Sequence, residues 1–519
     1  MSATQSLTSI VLDRSPVLLT ALVACAAIYL VPKLLTFAQV WRIPVVGEEL
    51  GSEEKRRQAY LAGARRMYTD GYRKLTSMVQ FKDGAFRITT SRNSSIIVLS
   101  PKFLPELKKL PDSIVSMEAA VDETMETKYT KIETSVPIIP HTVKTHLTPS
   151  LGKLNPIVHQ EVKETLDLEI PLQKDWKEVN IHHALLRVIA MVSGRIFIGP
   201  ELSRTEQYLD AAINYTMEVM SVQRAAQRLR PWLRPFLATR LPEMKKLDQR
   251  IKEAEQFLNP VVKTRVEAAA DNSAEKPFDM LQWLIDEQPK FDDENSRNLA
   301  KVQLGLTFAA IHTTTLTATN AFYDLATMPE LASELREEAR VALAANNGVF
   351  TSNALQSMKK MDSFLKETLR LHPATMASFQ RKVLKSFTLS NGQVIPAGVT
   401  IEIPAVAVNS DPEVFPNADQ MDALRFYRLR QDAKERGSVE GAALNQFVSV
   451  SQNSLTFGFG RHACPGRFFA ANEIKMILAN CLLRYEFKNV EGSTERYPNI
   501  EFAHMSIPDP SKNLLIREL

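Results

Sequence analysis

Apolar residues recur at helical spacing over most of this chain, leaving one face to be buried and the other polar. Near the C-terminus, Phe468, Ala471, Ile474, Met476, Ile477 and Leu478 fall among Asn472, Glu473 and Lys475, which predicts a helix beginning near Arg467. The pattern predicts further helices over about 52 to 80, 102 to 110, 141 to 168, 180 to 197, 204 to 225, 241 to 270, 277 to 287, 292 to 324, 329 to 345 and 353 to 371. Two short runs break the period. Phe86 to Thr90 and Ser94 to Leu99 alternate or run β-branched and predict the two strands of a small hairpin. Extended character returns at Arg381 to Leu389 and Thr400 to Pro404, and no repeat is present. The expected class is mainly α, a helix-rich body with a small β subdomain.

The N-terminus departs from this pattern. Pro16 to Val31 carries no charge, and only Lys33 interrupts the apolar run before Phe37, which is just long enough to span a bilayer with some tilt. A secretory signal peptide competes with this reading. However, Lys33, Arg42 and the Lys55-Arg56-Arg57 cluster follow the segment while only Arg14 precedes it closely, so the positive-inside rule leaves the body in the cytosol. The expectation is one N-terminal transmembrane helix in the endoplasmic reticulum membrane, single-pass. The chain then divides into an anchor at 1–37, a hinge at 38–51 stiffened by Pro44, and a body at 52–519. On that topology the sequons at Asn93 and Asn214 are chance.

Composition narrows the class further. The 519 residues are 45% hydrophobic and 24% charged, enough for a large core and unlike a disordered chain. A net charge of +4 gives no reason to invoke nucleic acid. Cys25, Cys464 and Cys481 are too few and too scattered for a disulfide framework, which points to a reducing compartment. The acidic run through Asp286, Glu287, Asp292, Asp293 and Glu294 reads as a solvated loop and helix start.

The run Phe457-Gly458-Phe459-Gly460-Arg461-His462-Ala463-Cys464-Pro465-Gly466-Arg467 places one cysteine between glycine turns and a helix N-terminus. Gly458, Gly460 and Gly466 allow sharp turns and close approach to something flat, while a helix N-terminus favours the ionised thiol. A buried structural cysteine is the bland alternative. Gly458-x-Gly460-x-x-Ala463 also imitates a dinucleotide fingerprint, but it precedes a terminal helix instead of following a strand in a βαβ unit. The segment fits Phe-Gly-x-Gly-x-(Arg or His)-x-Cys-x-Gly at every fixed position and so resembles the haem-ligand loop of the cytochrome P-450 family. The resemblance implies the mostly helical P-450 fold and haem b, with Cys464 as the axial iron ligand and Phe457, Gly458 and Gly466 around it. The implied activity is a monooxygenase that reductively activates dioxygen. The chain carries no flavin or iron–sulfur module, so electrons from NADPH must come through a partner, NADPH-cytochrome P-450 reductase, with cytochrome b5 as a second donor. Arg425, Arg428, Arg430, Lys434 and Arg436 are candidate docking charges.

Three further constellations take meaning from the same resemblance. Glu367 and Arg370 stand at i and i+3 on one helix face, by itself an ordinary pair worth about 0.2–0.5 kcal/mol. The family completes a Glu-x-x-Arg pair with an arginine from a meander before the cysteine loop. Arg425 holds that place, without the usual preceding proline, so Glu367, Arg370 and Arg425 are expected to lock the core. The segment Phe308 to Thr317 is threonine-rich and poor in helix propensity, which a bent helix with back-bonded threonines would also explain. The family places its central helix here, opposite the cysteine. Thr313 and Thr314 match its hydroxyl positions, whereas His312 replaces the usual acid and Ala310 a glycine. The expectation is that Thr313 steadies dioxygen while His312 and water deliver protons. His462 and Arg381 match basic positions that pair with the haem propionates, and Lys144 is a third, with Pro140 where the family has tryptophan.

Finer likeness, in Ala-Ala-Ile-His-Thr-Thr-Thr and in the cysteine loop, is to fungal secondary-metabolism oxygenases of ent-kaurene oxidase-like, indole-diterpene and steroid-hydroxylating type. A terpenoid or steroid-like substrate follows, with Met117 to Val121, Ala309, Ile311, Met376, Ala377 and Phe379 as pocket candidates. Two other classes stay open at this point: a reductase-independent P-450 isomerase or dehydratase, and a non-catalytic haem carrier or sensor. No zinc-hydrolase spacing, nucleophile elbow or Walker sequence is present.

Overall fold

The longest periodic stretches become helices in the computed structural model, which describes residues 15–77, 84–270, 276–291 and 298–519. The helices that matter below are α1 (Ser15–Trp41), α2 (Glu53–Ala62), α3 (Arg65–Ser77), α4 (Met117–Met125), α5 (Thr148–Glu169), α6 (Ile181–Phe197), α7 (Glu206–Arg228), α8 (Pro242–Ala270), α9 (Leu299–Leu325), α10 (Lys359–Leu371), α11 (Arg425–Glu435) and α12 (Arg467–Arg484). Caps set several starts. Asn298 accepts from the Ala300 and Lys301 amides ahead of α9, and Thr205 from the Tyr208 amide ahead of α7. The single helix predicted over 52 to 80 is two, because Gly63 turns at φ +147° and its amide closes back on the Tyr60 carbonyl. The stretch 353 to 371 likewise breaks at Met358, which leaves helical geometry with ψ 73°. Asp292, Asp293 and Glu294 lie outside the described residues, as do 78–80 of the first predicted helix.

Twelve short strands follow in chain order: β1 (Ala85–Ile88), β2 (Ile96–Leu99), β3 (Val115–Ser116), β4 (Lys177–Val179), β5 (Ser378–Val383), β6 (Phe387–Thr388), β7 (Val394–Ile395), β8 (Thr400–Ile403), β9 (Tyr485–Asn489), β10 (Asn499–Phe502), β11 (Met505–Pro508) and β12 (Leu514–Glu518). β1 and β2 form the expected antiparallel hairpin, with Ala85 opposite Leu99, inside a five-stranded sheet of order β1-β2-β8-β5-β3. β2 and β8 pair in parallel with all their side chains buried, as a covered sheet requires.

α9 is the centre of the helical body and packs against α6, α7, α8, α10 and α12. One continuous apolar core joins these helices, and a second core lies against the sheet. Val40, in the last turn of α1, and Ile43, just beyond it, belong to that second core. The 38–51 hinge is stitched to β1: the Val46 amide donates to the Arg87 carbonyl at 2.9 Å and the Arg87 amide to the Pro44 carbonyl at 2.7 Å. Arg87 Nε adds a bond to the Ile43 carbonyl at 2.7 Å. α1 takes in the segment expected to span a membrane, yet among the described residues no helix is long and apolar enough to cross one. The structure therefore supplies a helix at this point and gives the transmembrane expectation no support.

Candidate active site

Gly458 and Gly460 adopt φ of +77° and +70°, which glycine alone takes without strain. A Cβ on Gly458 would stand 3.4 Å from the His462 carbonyl oxygen and 3.5 Å from Ala463 Cα. The double turn brings the Cys464 amide to the Phe457 carbonyl at 2.8 Å and presents the sulfur to the Gly466 and Arg467 amides at the start of α12. Burial raises the Cys464 thiol above its ordinary value, and those amides with the Arg467 charge oppose it. Cys464 is nonetheless exposed, and its neighbours His462 and Pro465 line a cavity. Cys481 is buried within α12 and pushed up to about 12, and Cys25 sits on α1. Gly466 has an ordinary φ of −82°, and a Cβ there would meet nothing within 4 Å. Neither backbone nor protein neighbours call for glycine at 466, whereas a flat group lying on the loop would.

Across the cleft, α9 shows a stripe of accessible positions in an otherwise packed helix. Ala309 and Thr313 are exposed, while Thr307, Ile311, Thr314 and Thr315 are buried. Thr313 Oγ1 donates back to the Ala309 carbonyl at 2.8 Å, Thr315 to Ile311 at 2.8 Å and Thr317 to Thr313 at 3.0 Å. These back-bonds satisfy the hydroxyls, and packing overrides weak propensity. Thr314 is thus turned into the core, away from the stripe. His312 also leaves it: Nε2 donates to the Ile213 carbonyl of α7 at 3.1 Å, and burial lowers its pKa, favouring the neutral ring. The imidazole expected to shuttle protons is engaged in helix packing.

A cavity of about 790 Å³ lies between this stripe and the cysteine loop. Gly305, Phe308 and Ala309 line it on the α9 side, and His462 and Pro465 beside Cys464. Of the pocket candidates, Met117, Val121 and Ala309 line it. Ile311 does not; it is fully buried on the packed face of α9, a hundred degrees per residue having carried it off the stripe. Met376 and Ala377 belong to a separate core with Tyr60 and Tyr68. Phe379 is buried against the sheet at φ +51°, where the β5–β8 register shifts between Ser378 and Arg381. Sequence reasoning missed Tyr215, Ile132, Ile251 and the rim charges Lys131, Glu133 and Asp248. They come from elements far apart in the chain, and no local motif marks them.

The bulge in β5 re-aims its side chains. Arg381 turns its guanidinium over the Phe379 ring at 4.2 Å and shares a crevice with Phe459, Arg461 and His462. It is 5% exposed, bonds the Gln380 carbonyl at 2.7 Å, and among the described residues no carboxylate comes within ion-pair distance. Burial accordingly pulls its pKa down to about 10. Asp112 instead pairs with Arg461 at 2.7 Å and His462 at 3.1 Å. A buried cation without an acid is costly unless an anion joins it, so Arg381 and His462 fit an incoming carboxylate. Lys144 does not join them: it is exposed in a π-helical turn, Val143–Leu147, and Ile139 and Pro140 line the cavity in its place.

Behind the cysteine loop, Glu367 is fully buried and accepts from Arg370 Nε at 2.8 Å and Nη2 at 2.7 Å, and from Arg425 Nε at 3.1 Å. The Asp422 amide adds 3.2 Å. Arg370 Nη1 also holds the Asn409 and Ala418 carbonyls, each at 2.6 Å, and Arg425 Nη1 holds the Pro416 carbonyl at 2.6 Å. The three residues form one network tying α10 to the start of α11 and the loop before it. That commitment removes Arg425 from the proposed docking face. Arg430 is spent on Asp362 at 3.1 Å, while Arg428, paired with Asp422, stays exposed together with Lys434 and Arg436.

Known proteins match this arrangement. The cytochrome P450 family profile covers residues 140–515. The chain is 44% identical over 425 residues to cytochrome P450 monooxygenase ATR3 of Stachybotrys chlorohalonatus, covering 82% of this chain and 89% of that one. A cytochrome P450 monooxygenase of Emericella nidulans is 35% identical over 513 residues, with 98% and 93% covered. Cytochrome P450 monooxygenase olcJ of Penicillium canescens is 34% identical over 510 residues, with 97% and 94% covered.

Proposed function

The chain belongs to the cytochrome P450 family and is a monooxygenase that uses haem with a cysteine thiolate ligand and electrons from a redox partner, and from that premise we propose that it oxidises a lipophilic terpenoid or steroid-like intermediate of fungal secondary metabolism. The observation that carries the reading is the largely apolar cavity of about 790 Å³ closed at one side by the cysteine loop and at another by the α9 stripe. When bound, the haem supplies the activation of dioxygen. Cys464 is the thiolate: its sulfur receives the Gly466 and Arg467 amides at the head of α12. Arg381 and His462 would hold the propionates, and Gly466 would leave room for the flat face. Thr313, on the accessible stripe, offers a hydroxyl for handling a proton beside the reacting group. His312 holds α7 against α9 and is not carried forward as the shuttle. Lys434 and Arg436 support docking of an acidic reductase face.

The same proposal includes the endoplasmic reticulum membrane, with the body in the cytosol. Trp232 and Phe236, 65% and 66% exposed, lie in the segment between α7 and α8. Arg57 of α2 donates to the Gln227 carbonyl at 3.2 Å, and Arg230 pairs with Glu54 at 3.4 Å. The aromatic patch therefore lies beside the segment that follows α1, and interfacial tryptophan with arginine suits a lipid headgroup layer. Reconstitution with NADPH, reductase and a panel of terpenoids and steroids tests the substrate. An oxygen-dependent product from at least one of them is expected; turnover of none, with a normal reduced carbon-monoxide spectrum, would overturn the substrate class. Loss of that spectrum's thiolate band in Cys464→Ser tests the ligand.

A further inference from the structure

One wall of the cavity carries a hydroxyl without a protein partner. Tyr215 of α7 lines the cavity with its ring set edge-on to Phe308 of α9, centroids 6.4 Å apart. The residue is 6% exposed, and among the described residues its Oη makes no hydrogen bond. Lining the cavity, the hydroxyl is open to bond a ligand oxygen there.

The phenol is held in place from both sides. The Phe308 ring supports it from α9, and the bond from His312 Nε2 to the Ile213 carbonyl, two residues before Tyr215, fixes the register of α7 on α9. Val121, Ile132, Ile251 and Val302 line the same cavity and offer no hydrogen bond, while Lys131, Asp248, Lys252, Glu255 and Lys301 bring charge to its lining. Burial pushes the phenol up to about 12, helped by the charge of Glu133, which lines the same cavity. Tyr215 therefore stays a neutral donor, and a carboxylate stands near it as an acceptor.

We propose that Tyr215 Oη is the polar anchor of substrate binding, donating a hydrogen bond to the oxygen of an alcohol on an otherwise apolar substrate whose own hydroxyl proton faces Glu133. An alcohol suits both groups, because it accepts from the phenol and donates to the carboxylate. The inference rests on the reading of this cavity as the substrate site.

The test uses the full-length haem-loaded protein and 1-alkylimidazoles of increasing chain length, each paired with its ω-hydroxyl counterpart. The imidazole nitrogen on iron reports binding as a Soret shift, and the chain end probes the wall. From parent to Tyr215→Phe, the ratio of hydroxyl to alkyl affinity is expected to fall about fivefold at one chain length or more, the equivalent of one hydrogen bond. Affinity for the alkyl twin should stay within about twofold, as Phe preserves the ring contact. Glu133→Gln should lower the same ratio in part. An unchanged ratio in Tyr215→Phe at every length overturns the anchor while leaving the cavity in place. A Soret shift from none of the ligands means the cavity does not open on the haem, and then the site reading and the anchor fall together.

Discussion

Removing the Glu367 carboxylate tests the network behind the cysteine loop most severely. Glu367→Ala leaves the Arg370 and Arg425 guanidiniums, with side chains 3% and 8% exposed, facing each other without their shared anion. Breaking a buried pair by deleting one partner costs about 3–5 kcal/mol, a large part of the roughly 5–15 kcal/mol that holds a domain together. With a urea m value of about 3 kcal/mol per molar, the unfolding midpoint should fall by about 1–1.7 M. Arg425→Ala should cost less, about 1–3 kcal/mol, because Arg370 still grips both carboxylate oxygens. Arg370→Ala should fall between the two, since it also frees the Asn409 and Ala418 carbonyls. Urea titration followed by far-ultraviolet dichroism and by the reduced carbon-monoxide band gives the order directly. A Glu367→Ala midpoint within experimental scatter of the parent, or Arg425→Ala as damaging as Glu367→Ala, would refute the idea that the carboxylate is the hub.

Burial pushes the Glu473 carboxyl of α12 up from 4.5 to about 8, against a bond from Ser193 Oγ at 2.8 Å. The folded chain thus holds that proton more tightly than the unfolded one, so its contribution is fully present below about pH 4.5 and is lost as pH rises through about 8. The thermal midpoint of the parent should fall over that window, and Glu473→Gln should flatten the fall; parallel curves would show the carboxyl to be irrelevant. Thr313→Ala should keep the carbon-monoxide spectrum and ligand binding yet divert NADPH electrons to peroxide, measured as product per NADPH; parental yield would leave the hydroxyl a purely structural one. Deleting residues 1–36, together with Trp232→Ser and Phe236→Ser, should release the protein from microsomal membranes with haem retained, and persistent association after all three changes would move the membrane contact elsewhere.

Much of this was legible from residues alone. The cysteine loop could be read because glycine at 458 and 460 answers a backbone demand, and the main helices because their apolar period is long. Facing was harder. Ile311 and Thr314 sit within two residues of Thr313 in sequence, yet helical rotation turns both into the core. Arg425 was expected both in the Glu367 network and on the docking face, and the folded chain commits it to Glu367. Tyr215 and the rim pair Lys131–Asp248 meet across large sequence separations, so no window of neighbouring residues could announce them. The terminal hairpin β10–β11 and strand β12 went unpredicted because their runs are short and pair only with each other or with distant strands.

The stitched hinge bears on how a shortened protein could be made. Val40, Ile43 and Val46 are 5%, 4% and 7% exposed, and they sit in two different cores. A new start site placed after Phe37 and before Val40 would leave those side chains in their sockets. One placed at Gly47, within the hinge expected at 38–51, would empty all three and lose about 1.5–3 kcal/mol for each. It would also unpair the Arg87 backbone. The safe boundary for a truncated protein therefore lies inside the last turns of α1, upstream of the proline that looks like the joint.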